Sequence, residues 1–327
     1  MSRAQSSGRK PSGKAPGGRL ATRLAYAQYA LIGVGAVLFA PLLPRIIADF
    51  GLSLTAAGLI FPAKAIGGFA GGLAAGPLID RYGAKPIILG CLAAAAVGLL
   101  LAGYGPAWPL LLAGITLADA GQRALSTCLN TLVAEANPED PARYLNYLHG
   151  AYGIGALVAP IAVGLWLIEG ADWRHAFGTF AAFWIALAVP VAGAPFPGAG
   201  RGAGAKPVFD RDLFGSALFL ALFAVAFCYN GVAVPLLGWI STYLERASVH
   251  AFWASGMISV FYAALTAGRF ACGALAKRLG FERTILACAV GAAAAYPVVA
   301  AAREPVVLAA GVLLSGLFLS GLFPTAI

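Results

Sequence analysis

Apolar stretches of about twenty residues alternate with short polar ones along nearly the whole chain. About 20 apolar residues in a helix cross the roughly 30 Å hydrocarbon core of a bilayer. On that measure ten stretches are candidate spanning helices: 22–47, 52–79, 86–105, 108–135, 144–168, 174–195, 213–243, 251–276, 283–302 and 306–327. Residues 1–20, rich in Ser, Gly, Pro, Arg and Lys and without apolar periodicity, read as a disordered basic tail. A basic segment before an apolar run also begins a secretory signal peptide, but the run 24–43 is long enough to span, so a retained first helix is expected. Between the sixth and seventh spans, Pro195 to Asp212 is a Gly/Pro/Lys/Arg stretch that cannot itself cross. The pattern therefore predicts an N-terminal six-helix bundle (21–195), a linker (196–212) and a partial C-terminal bundle of four helices (213–327).

Composition narrows the class. With 60% hydrophobic and only 11% charged residues, the chain is no ordinary soluble domain, in which about a quarter of residues are charged. It reads as an all-α polytopic membrane protein. The net charge of +9 does not point to nucleic acid, because the cations form no patch beside base-stacking aromatics. They sort by side instead. Fifteen Lys and Arg fall on the side of the N-terminus and linker and four on the other (Arg45, Arg174, Arg246, Arg303), so those two segments are expected to be cytoplasmic in a cell (inner) membrane. Cys91, Cys128, Cys228, Cys272 and Cys288 lie singly in apolar runs and read as packing residues, with no metal expected. No phosphate-binding loop, metalloprotease helix or nucleophile elbow is present, so neither an enzyme nor a cofactor is indicated.

One turn carries the most specific signal. In Gly76-Pro77-Leu78-Ile79-Asp80-Arg81-Tyr82-Gly83-Ala84-Lys85, a carboxylate and two cations sit between two apolar runs. Such charges suit a membrane surface, where Asp80 can pair with a neighbouring helix end and Arg81 and Lys85 can face anionic lipid. An echo, Gly273-Ala274-Leu275-Ala276-Lys277-Arg278-Leu279-Gly280, closes the second span of the second half. The string resembles the loop motif between the second and third helices of the major facilitator superfamily, G-x-L-x-D-R-x-G-R/K, with the last cation displaced to Lys85. That resemblance implies two six-helix halves around a central site, of which the second half here is incomplete by two spans. It also implies a gating role for Gly76, Asp80, Arg81, Gly83 and Lys85. Asn130-Thr131-Leu132-Val133-Ala134-Glu135, Leu145 to Gly155 with Pro160, Gly238 to Leu244, and Phe323-Pro324-Thr325 are similar to segments of fucose-permease-like sugar transporters. Against that subfamily three acids are missing: Ser126 stands at the coupling position, the first helix has no acid, and Val232-Ala233-Val234 replaces a Glu-bearing stretch.

Ionisable groups at mid-bilayer cost at least about 2.5–3.5 kcal/mol, so they face a cavity or a partner. Lys64, Asp119, Arg123 and Arg269 are the candidates. Asp119 and Arg123, four apart, either neutralise each other on one helix face or join Lys64 around an anionic or hydroxyl-rich solute. Arg269 reads as a gate residue. Asn130, Asn146 and His149, with Tyr229, Asn230 and Trp239 on the seventh span, either hold helices together or line the cavity, and His149 is a candidate for proton coupling. Gly67, Gly68, Gly71, Gly72 and Gly76 form small-residue ladders for close packing. The expected function is a monomeric secondary active transporter of a sugar, sugar-like solute or organic anion, with a proton or sodium ion as coupling partner and lipid as surroundings. An efflux antiporter is the alternative within transport, echoed by Gly155 to Pro160 with Gly164. A transport-inactive truncated remnant or membrane interaction protein is the alternative outside it.

Overall fold

The structure is a computed structural model and describes residues 18–195, 215–302 and 304–321. Nearly all of the basic tail, the linker 196–212 and the segment Phe323-Pro324-Thr325 lie outside those residues. Twelve helices follow one another: α1 (Gly18–Val37), α2 (Phe39–Phe50), α3 (Leu54–Gly58), α4 (Ile60–Tyr82), α5 (Ala84–Tyr104), α6 (Trp108–Ala136), α7 (Pro141–Ile168), α8 (Trp173–Gly193), α9 (Ala217–Arg246), α10 (Ala251–Leu279), α11 (Phe281–Ala301) and α12 (Pro305–Leu319). No strand occurs among the described residues. Counting α3 with α4 as one, seven are long and apolar enough to cross a membrane, and α1 with α2 makes an eighth. The other two expected stretches fall on α6, which carries Asp119, Arg123 and Glu135, and on α12, 15 residues long.

Two prolines explain two breaks. The expected span 22–47 bends by 42° between α1 and α2. Pro41 has no N–H to give to Val37, the last residue of α1, and its ring crowds that carbonyl. Pro62 stands in the same relation to Gly58, where α3 ends.

The two related turns have one geometry. Gly83 joins α4 to α5 at φ 82° and ψ 162°, its N–H bonded to the Ile79 carbonyl at 2.8 Å. Gly280 joins α10 to α11 at φ 86° and ψ 160°, bonded to Ala276 at 3.0 Å. Both conformations are open only to glycine, which is why the sequence echo ends on that residue. Lys85 caps the end of α8 by donating to the Ala194 carbonyl at 3.0 Å, a favourable place for a cation. Arg81 lies over the Tyr82 ring. Asp80, expected to pair with a helix end, is exposed and has no hydrogen bond or ion pair among the described residues.

Glycines let helices touch backbone to backbone. A Cβ on Gly67 or Gly71 of α4 would come within 2.0 Å of the Thr116 or Ala120 carbonyl of α6, whereas Gly72 and Gly76 face open space. The expected ladder thus packs through one of its two rows. A large core runs through α1 to α8 around Leu42, Leu92, Leu125, Phe177 and Trp184. A second gathers α9 to α12 around Ile258, Phe261 and Val312, and borrows Val37, Ala40, Ala156 and Ala159 from the first group.

The two helix groups are tied away from the ends joined by residues 196–214. Arg45 of α2 pairs with Glu245 of α9. Phe61 of α4 packs on Trp239 of α9 with ring centres 5.7 Å apart, and Ser259 of α10 donates to the Leu157 carbonyl of α7 at 2.7 Å. Each tie lies in the part of its helix remote from the linker. The far end is closed.

Candidate functional site

The intramembrane charges separate into two sets. Lys64 Nζ meets Asp119 Oδ2 at 2.7 Å across the tight α4–α6 contact, with the ammonium 5.1 Å from the centre of the Phe39 ring. Asp119 is 7% exposed. The reading of Asp119 and Arg123 as a mutually neutralising pair is therefore corrected: the partner comes from the neighbouring helix, not from one turn along the same one. Arg123 lies on the exposed side of α6, its stem against Gly68, whose missing side chain leaves the room.

Toward the linker end a polar aromatic cluster follows. Tyr29 Oη bonds Ser126 Oγ at 2.9 Å and accepts from Asn130 Nδ2 at 2.9 Å, and Asn130 also donates to the Ser126 carbonyl at 2.8 Å. The coupling position without an acid is thus filled by a neutral hydrogen-bond chain. The His149 ring meets Tyr29 edge-on at 5.2 Å, and Tyr152 lies 6.3 Å from Tyr29. Tyr152 of α7 and Tyr262 of α10 face each other hydroxyl to hydroxyl across the two groups.

Both remaining arginines bear on this cluster. The charge of Arg123 reaches Tyr152 and Tyr262, and that of Arg269 reaches His149, Tyr152 and Tyr229. Neither has a carboxylate partner among the described residues. Arg269, the expected gate residue, is exposed toward the linker end while its charge bears on the aromatic cluster. Asn146 is exposed, one turn nearer the linker end than His149. Trp239 lies apart, in the closed far-end contact with Phe61, and Asn230 is exposed on α9.

Tyr29 and Tyr262 were not foreseen. On an apolar helix a tyrosine reads as core. The available signal was the Tyr262 and Arg269 spacing of seven residues, which puts both on one face of α10.

The model of the Major Facilitator Superfamily matches residues 25–327. The chain belongs to that superfamily. Among curated members, an uncharacterised MFS-type transporter of Mycobacterium tuberculosis is 29% identical over 159 residues, 48% of this chain and 22% of its own length. The chain thus spans under a quarter of that relative. The cis,cis-muconate transport protein of Acinetobacter baylyi is 25% identical over 88% of this chain and 73% of its own length. Solved superfamily members share the fold. A bacterial homologue of the human lysosomal transporter Spinster, inward-facing and unoccupied, superposes with a TM-score of 0.79 at 17% identity, covering 96% of this chain and 75% of the other. For the E. coli fucose:proton symporter the values are 0.63 and 22%, with 95% and 83% covered. Superfamily membership accords with the apolar helices of a multi-pass membrane protein, and its solved neighbours extend beyond the fucose-permease-like subfamily.

Proposed function

We propose that the chain is a secondary transporter of small organic anions, working by alternating access around the Arg123 and Arg269 cluster. One observation carries this reading: two guanidiniums without an internal counter-ion, one from each helix group, bear on the same tyrosine, Tyr152. Both arginines are exposed toward the linker end, so their uncompensated charge is open to an anion arriving from solution. Lys64 offers no such vacancy, because Asp119 already compensates it. The similarity to a protein named for muconate, an organic anion, supports the same class. Asn130, Asn146, His149, Tyr229 and Asn230 serve as polar lining, with Trp239 at its far-end floor. The neutral-sugar reading draws on the fucose-permease-like motifs but leaves both arginines unused.

In this reading residues 21–195 form the six-helix half, 213–327 the partial second half, and the N-terminus and linker face the cytoplasm of a cell with this protein in its inner membrane. Asp80 finds its partner when the linker end closes. A proton or sodium ion drives transport, with His149 the titratable group in the cluster. An efflux role is the alternative within transport; over 90 residues, 28% of its length, the chain is 30% identical to a tetracycline resistance protein of Pasteurella multocida.

The test is binding to the purified protein of a panel of carboxylates, organic phosphates and neutral hexoses. Carboxylates are expected to bind and hexoses not, with Arg123→Gln weakening carboxylates about tenfold or more. Hexose binding unaffected by that substitution, with no anion bound, overturns the reading.

A further inference from the structure

We infer that the substrate carries two anionic groups on a flat apolar spine, one received by Arg123 and the other by Arg269. This rests on the anion reading above and sharpens it. The two guanidiniums sit on opposite helix groups, Arg123 on α6 and Arg269 on α10. Ser259 and Leu157 fix the two groups together at 2.7 Å. From that contact Tyr262 lies three residues and Arg269 ten residues further along α10 toward the linker end, roughly 4.5 Å and 15 Å at the helical rise. Tyr152 lies five residues from Leu157 in the same direction on α7. The tyrosines thus stand between the far-end closure and Arg269, and Arg123 reaches the same pair from the other group.

Charge balance argues for two anionic groups. The other described intramembrane cation, Lys64, is compensated by Asp119, and Arg45 at the far end by Glu245. A monoanion would leave one of the two arginines bare, whereas a dianion neutralises both. A guanidinium fork matches a carboxylate bidentately, so each can hold one end in a fixed orientation. Tyr152, Tyr229 and Tyr262, all part-buried, add aromatic surface beside the two arginines, against which a planar unsaturated or aromatic spine packs well. Bridging also has a mechanical consequence. A dianion attached to both groups draws their linker ends together, and a monoanion attached to one does not.

The experiment measures affinities of benzoate, isophthalate, terephthalate, succinate and neutral benzamide for the parent protein, Arg123→Gln, Arg269→Gln and the double variant, with Arg→Lys at each position as a control for folding and charge. The aromatic dicarboxylates are expected to bind about tenfold or more tighter than benzoate. Each Gln variant should bring them down to the level of benzoate, the double variant should bind none, and the Lys variants should retain part of the preference. Benzoate binding as tightly as the dicarboxylates, or dicarboxylate affinity unchanged in either Gln variant, overturns the two-anion inference and leaves the anion reading standing. Failure of every anion in the series to bind the parent overturns both.

Discussion

Asp119 holds Lys64 at 2.7 Å with both groups largely withdrawn from solvent, and the energetics of such a pair are asymmetric. Removing one partner strands the other charge, at about 3–5 kcal/mol, while replacing both with apolar residues of similar size is often neutral. Lys64→Met and Asp119→Leu are each expected to destabilise the protein by that amount. The double variant should recover most of the loss, since the Lys64 side chain already reaches over the apolar Phe39 ring. Thermal melts in detergent across the four proteins check this. Additive losses would mean that the two side chains are not paired. Anion binding should survive in the double variant, which separates this pair from the Arg123 and Arg269 site.

At the scale of elements, the α4–α5 and α10–α11 turns are the same structure built twice. Gly83 and Gly280 adopt φ and ψ within a few degrees of each other, in a region that costs a residue with a Cβ about 1–3 kcal/mol. A Cβ on Gly280 would meet nothing within 4 Å, so strain alone should be felt there. Gly83→Ala and Gly280→Ala are expected to lower stability by similar amounts in that range, read as a fall in melting temperature. Unequal losses would argue that the turns are not structural counterparts. This repeat was legible because glycine has no substitute at such a backbone angle. The helix positions were legible too, because the bilayer dictates their length. The breaks at Pro41 and Pro62 were overlooked although their cause lies in the residues themselves. The site was legible only in part. Spacing along α6 offered Arg123 as the partner of Asp119, but Gly67 and Gly71 let α4 approach so closely that Lys64 reaches it instead. The neighbours of Arg269 were hidden for a related reason: periodicity shows which residues share a face of α10, not which helices that face meets.

For the whole molecule, the ties between the helix groups decide which end is open. Arg45 and Glu245 join α2 to α9 at the far end, beside the Phe61 and Trp239 contact, while Arg123, Asn146, His149 and Arg269 remain exposed toward the linker end. Alternating access requires the far-end ties to break when the linker end closes, so the ion pair biases a two-state equilibrium. Both partners are partly exposed, 32% for Arg45 and 18% for Glu245, which limits the pair to about 1 kcal/mol or little more. A bias of that size shifts a population a few-fold without abolishing either state. Glu245→Gln is therefore expected to raise far-end opening a few-fold, and Arg45→Glu combined with Glu245→Arg should restore the parent balance. A single cysteine introduced at Thr242, which is 4% exposed in the closed far end beside Pro44 and Ile47, and labelled by an impermeant thiol reagent, with Cys228 replaced by Ser in every protein compared, reads the open fraction. Labelling at the parent rate in Glu245→Gln would show that the apolar contacts hold the far end shut without the ion pair.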